Sequence, residues 1–189
     1  MKIIGINYLS ESSVCLIEDG IIKYAISEER LNRKKNWYGI PYESINKLLK
    51  DTNNKLKDIS HFATHGLTSL NKILPDYEYV KKKIDSVRNS NLDDKTKKKQ
   101  IIFLKKRIAH ENYVINTRTK NTISEIKNKF KNLKVYDHHT SHAASAAFNS
   151  NFLNCYCLTI DGWGDDASAK IFSYNKGKFI EISKSSSLD

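Results

Sequence analysis

Two short stretches carry side chains able to do chemistry together: Asp137-His138-His139-Thr140-Ser141-His142 and, about twenty residues on, Asp161-Gly162-Trp163-Gly164-Asp165. If residues 138–148 are helical, His138 and His142 stand at i and i+4 and both imidazoles project from one face. Asp161 closes the apolar run Cys155-Tyr156-Cys157-Leu158-Thr159-Ile160, which reads as a buried strand, so its carboxylate sits at a strand's C-terminal end. Two imidazoles and one carboxylate suit zinc or ferrous iron, with positions left for substrate oxygens. Spacing by itself favours the plainer reading, two ordinary helix histidines, because His-x-x-x-His is a common pattern.

The elements that must position these groups are legible on both sides of them. Residues 2–7, 13–18 and 21–27 are rich in β-branched side chains and read as three strands, with Asp19-Gly20 as a tight hairpin turn. Residues 42–49 repeat apolar side chains at helical spacing, and 59–64 form a short candidate strand ending at His65-Gly66. Residues 67–132 are helical and charged, two or three helices with breaks at Pro75 and Asn89-Ser90-Asn91. Strands follow at 132–136 and 154–160, then a hairpin of 167–174 and 178–183 across Asn175-Lys176-Gly177. This order predicts an α/β domain, a mixed sheet with helices and a basic helical insertion.

Length favours one domain over two, and no apolar run is long enough to span a membrane. Three cysteines, Cys15, Cys155 and Cys157, on apolar segments predict reduced, buried thiols, and the N-terminus lacks a secretory pattern, so a cytoplasmic protein is expected. The net charge of +11 is concentrated: residues 81–134 hold 17 Lys and Arg against 5 Asp and Glu, a local +12. Such a face attracts anions, but lysines interspersed with Ile, Leu and Phe at helical spacing read better as a solvated surface. No nucleic-acid motif accompanies it, so no nucleic-acid partner is expected.

Five segments, in order, resemble the O-carbamoyltransferases that modify nodulation factors and antibiotics. They are Ile4-Gly5-Ile6-Asn7, Ser12 to Gly20, Glu28-Glu29-Arg30-Leu31-Asn32-Arg33-Lys34-Lys35, His138 to Ala146, and Leu158 to Asp165. The resemblance implies the first lobe of an actin-like, hexokinase-like ATPase fold, shared with the tRNA threonylcarbamoyladenosine synthases. Members are much longer, so the chain is expected to be incomplete, a second polypeptide being one source of the missing lobe. The implied reaction forms carbamoyl adenylate from carbamoyl phosphate and ATP and passes the carbamoyl group to a hydroxyl-bearing acceptor.

The resemblance also implies roles. His138 and Asp161 would hold an iron-type divalent metal, with zinc as the other choice and His142 as a further ligand. Lys35 matches a lysine that contacts the carbamoyl adenylate, although in Arg33-Lys34-Lys35 it also reads as a solvated loop cation. Ser10-Glu11 stands where the family has His-Asp or His-Asn, and a serine cannot serve as the general base there near neutral pH; Glu11 is the available substitute. Gly162 and Gly164 would let backbone amides approach a phosphate, with Asp165 beside them, or they serve a turn between strands; both readings stay open.

Overall fold

A computed structural model describes residues 1–66, 77–113, 120–165 and 167–186. The chain divides into two compact units, one of residues 1–68 and 121–137 and the other of residues 69–120 and 138–189.

The first unit is built on a five-stranded sheet. Strands β1 (Lys2–Asn7), β2 (Ser13–Glu18) and β3 (Ile21–Ser27) form the expected antiparallel meander, and β4 (His61–His65) and β5 (Leu133–Tyr136) add in parallel, giving the order β3-β2-β1-β4-β5. Asp19 and Gly20 both take positive φ, 49° and 81°, the turn that a two-residue hairpin demands. Alternation along β1, β2 and β4 turns Ile4, Ile6, Val14, Leu16 and Phe62 to one face. There they meet Ile45 and Leu48 of helix α2 (Tyr42–Asp51) and Ile126, with Phe130 just beyond helix α5 (Lys120–Lys129). The end of the basic region therefore supplies part of this core. The short helix α1 (Glu29–Asn32) leads from β3 into the loop before α2.

The second unit contains helices α3 (Tyr77–Arg88), α4 (Asp94–Tyr113) and α6 (His138–Asn149) and an antiparallel sheet of β6 (Asn154–Gly164), β7 (Ala167–Asn175) and β8 (Lys178–Ser186). The α3–α4 break falls at Asn89-Ser90-Asn91 as read from the sequence; Pro75 lies outside the described residues. The last three strands do not join the first sheet, so the single mixed sheet suggested by element order is two sheets. Cys157 of β6 and Phe172 and Tyr174 of β7 pack under Ala143 and Ala147 of α6. The opposite face is open: Tyr156, Leu158 and Ile160 are 78, 63 and 77% exposed, with Ile180 and Ile182 beside them. The apolar run thus reads correctly as a strand, but only its α6 face is covered among the described residues. Of the cysteines Cys157 is buried, while Cys15 and Cys155 are half-buried, and all three are free thiols. No helix among the described residues is long and apolar enough to cross a membrane.

Candidate metal centre

Helix α6 begins at His138, so His138 and His142 fall one turn apart on one face, as their spacing predicts. Strand β6 runs past α6 and delivers Asp161 to the same point. His138 Nε2 lies 2.7 Å from Asp161 Oδ2, His142 Nε2 lies 3.5 Å from that oxygen, and the two imidazole Nε2 atoms are 3.0 Å apart. All three potential ligand atoms fall within 4.8 Å of one another. Ligands about 2.1 Å from one ion, at angles between a right angle and the tetrahedral value, stand about 3.0–3.4 Å apart, so this donor set fits a divalent cation with little movement.

Protonation fits as well. Burial holds the His138 imidazole below its ordinary value, against the opposing pull of the Asp161 carboxylate. Burial acts upward on Asp161, but hydrogen bonds from His138 and from the Gly162 amide, with the charges of both histidines, bring its net shift down. Both shifts favour the deprotonated forms, an imidazole with a free ring nitrogen and an ionised carboxylate, which are the forms that ligate a metal.

The surroundings fix these ligands in ways that spacing did not disclose. Asp165, held at φ 50°, accepts a hydrogen bond from the His138 backbone N–H at 2.8 Å, placing a carboxylate on the exposed amides at the start of α6. A Cβ at Gly164 would lie 2.2 Å from His138 Cδ2, so this glycine makes room for the ring; at Gly162 a Cβ would meet nothing within 4 Å. His139, adjacent but pointing elsewhere, is fully buried and ties α6 to the sheet. Its Nε2–H donates to the Ala167 carbonyl at 3.1 Å, and its Nδ1 lies 2.8 Å from the Thr159 hydroxyl, which also faces the Lys170 carbonyl at 3.3 Å.

Ser10, Glu11 and Lys35 belong to the first unit. Ser10 and Glu11 are exposed on the turn between β1 and β2, which Asn7 organises by donating through Nδ2 to the Ser10 carbonyl at 3.1 Å and the Glu11 carbonyl at 3.2 Å. The same Asn7 presents Oδ1 to His65 Nε2 at 2.8 Å. Lys35 is exposed on the loop after α1, where the Ser12 amide donates to the Trp37 carbonyl at 3.1 Å and the Gly39 amide to the Tyr8 carbonyl at 3.0 Å. These bonds fasten the Lys35 loop to the Ser10–Glu11 turn. Glu28 is spent on structure: its buried carboxylate accepts the Glu43 and Ser44 amides at 3.1 and 2.7 Å, capping α2. Glu29 accepts the Asn36 amide at 3.0 Å and so shapes the loop that carries Lys35.

Residues 2–188 match the family described as carbamoyltransferase N-terminus, and the chain belongs to that family. It is similar to the uncharacterized protein sll1178 of Synechocystis sp., 30% identical over 179 residues, which are 90% of this chain and 27% of that protein. It is also similar to nodulation protein NolNO of Sinorhizobium fredii, 28% identical over 166 residues, 85% of this chain and 21% of that one. The chain thus spans about a quarter of the length of these relatives.

Proposed function

We propose that this chain is the N-terminal portion of an O-carbamoyltransferase and that the α6–β6 cluster is its metal site. The observation that carries the reading is the convergence of His138, His142 and Asp161, whose ligand atoms lie within 4.8 Å of one another, inside a chain of this family. The five-stranded mixed sheet supports an actin-like first lobe. His138, His142 and Asp161 hold a divalent ion, iron(II) by preference and zinc otherwise. Bound there, an ion would neutralise phosphate charge on carbamoyl adenylate, which forms from carbamoyl phosphate and ATP with release of inorganic phosphate and pyrophosphate. The family resemblance implies that Lys35 contacts the carbamoyl adenylate, whose carbamoyl carbon leaves the phosphate for the acceptor hydroxyl oxygen.

The proton of that hydroxyl needs an acceptor, and Ser10 is not one. General-base catalysis is worth about 10²- to 10⁴-fold, so the substitution leaves binding in place and removes most turnover unless Glu11 takes over the role. The open apolar face of β6–β8 supports a further polypeptide packing there, as part of a longer protein or as a separate chain. The 189-residue chain alone is expected to be inactive, since an open site exposes an activated carbamoyl group to water.

The test incubates the chain with ATP, carbamoyl phosphate and a panel of hydroxyl compounds, with and without a polypeptide carrying the remaining length of the family. Product only with both pieces supports the reading. Turnover by these 189 residues alone overturns the need for a further polypeptide. A second reading, a metal- and nucleotide-binding module without transfer, is favoured by Ser10 and predicts bound metal but no product even when both pieces are present.

A further inference from the structure

The basic region carries none of the segments that resemble the family, yet one of its side chains reaches the candidate centre. Helix α4 sets Ile101, Leu104, Arg107 and Ile108 half-buried while Lys105 and Lys106 stay exposed, so Arg107 lies on the inward stripe of a helix that is otherwise largely solvated. Its Nη2 donates to the Gly162 carbonyl at 3.1 Å. The Gly162 amide in turn donates to Asp161 Oδ1 at 2.6 Å, and Asp161 Oδ2 is the oxygen that faces His138 Nε2 at 2.7 Å. Gly162 has no side chain to pack, and a Cβ there would touch nothing within 4 Å, so no side-chain contact of its own restrains the backbone turn at this residue.

We propose that Arg107 is a positioning residue for the metal centre: by holding the Gly162 carbonyl it restrains the backbone at Gly162, whose amide, in the preceding peptide, orients Asp161. This rests on the reading of His138, His142 and Asp161 as ligands. The sign of the effect separates positioning from charge. A guanidinium near a dication repels it, so removing Arg107 for its charge alone would tighten metal binding. Removing the hydrogen bond frees Asp161 to turn and weakens binding, and partners one step behind a ligand are worth about 10–100-fold in affinity. Gln keeps a donor without the charge, Lys keeps both, and Ala keeps neither.

Cobalt(II) is titrated into the 189-residue chain, with affinity read by calorimetry and ligand geometry by visible absorption, for the parent, Arg107→Ala, Arg107→Lys, Arg107→Gln, Lys106→Ala and His138→Ala. The expected result is about a tenfold loss and an altered spectrum for Arg107→Ala, near-parental binding for the Lys and Gln variants, and binding at or slightly above parental for Lys106→Ala. Equal affinity of Arg107→Ala and parent, with binding lost in His138→Ala, overturns the positioning role and leaves the metal reading standing. Equal weakening of the Ala, Lys and Gln variants also overturns it, since loss would then track disruption of α4 and not the donor. Parental binding by His138→Ala would instead overturn the ligand set itself. If Arg107→Ala does not fold, the comparison of Gln and Lys with the parent decides.

Discussion

Gly164→Ala puts the geometry of the centre to a direct test, because backbone conformation gives no reason for a glycine there and the neighbouring His138 ring does. The added methyl would stand 2.2 Å from His138 Cδ2, 2.8 Å from Cγ and 2.9 Å from Nε2. An ordinary carbon–carbon contact is about 3.5 Å or more, so the ring must retreat by about 1.3 Å. Metal–ligand distances tolerate only about 0.2 Å, so a displacement of this size removes His138 from the ligand set. The expected loss of affinity is about 100-fold or more, at or beyond the top of the range seen for partners one step behind a ligand. Forcing a methyl into the contact also costs about 1–3 kcal/mol of stability. Cobalt or zinc titration by calorimetry, with thermal unfolding alongside, measures both. Gly162→Ala is the comparison, since its methyl meets nothing within 4 Å and the variant keeps the amide and carbonyl that face Asp161 and Arg107, so any loss of affinity should be far smaller. If Gly164→Ala binds metal as tightly as Gly162→Ala, the His138 contact does not set the site and the reasoning fails.

Other expectations follow from single contacts. Asp165→Ala removes the carboxylate from the α6 N-terminus and should lower stability by about 1 kcal/mol in chemical unfolding, with a smaller loss for Asp165→Asn. Glu28→Ala strips both capping bonds from α2 and should cost about 2 kcal/mol, because the buried Ser44 amide and the part-buried Glu43 amide lose their acceptor. The metal-free chain should lose stability on acidification: both His138 and Asp161 hold their protons less readily when folded, so stability present above pH 6.5 falls as pH drops below that value and falls further below 3.8. His138→Ala should flatten the upper part of that profile in pH-dependent unfolding. Reversing Lys97, Lys98 and Lys99 to Glu should leave the circular dichroism spectrum unchanged, and loss of a salt-sensitive RNA or DNA affinity in that variant would promote the basic region to a nucleic-acid surface.

What the sequence determined was local and periodic. The i, i+4 spacing of His138 and His142 became adjacency because a helix repeats every 3.6 residues, and Asp19-Gly20 became a hairpin turn because both residues tolerate positive φ. The strands at 2–7, 13–18 and 21–27 follow from their β-branched alternation, and the family was legible in short segments. The tertiary structure alone decided what crosses between elements. Gly164 is small because a ring from another element occupies the space, Asp165 faces the start of a helix 27 residues earlier, and Arg107 reaches a carbonyl 55 residues away. Nothing in spacing encodes such pairs, since each depends on where two separately formed elements meet. The partition of the strands into two sheets was equally hidden, because alternation fixes which face a strand buries but not which neighbour it pairs with. For β6 that limit is plain: Cys157 and Thr159 found α6, while Tyr156, Leu158 and Ile160, as apolar in sequence, face outward.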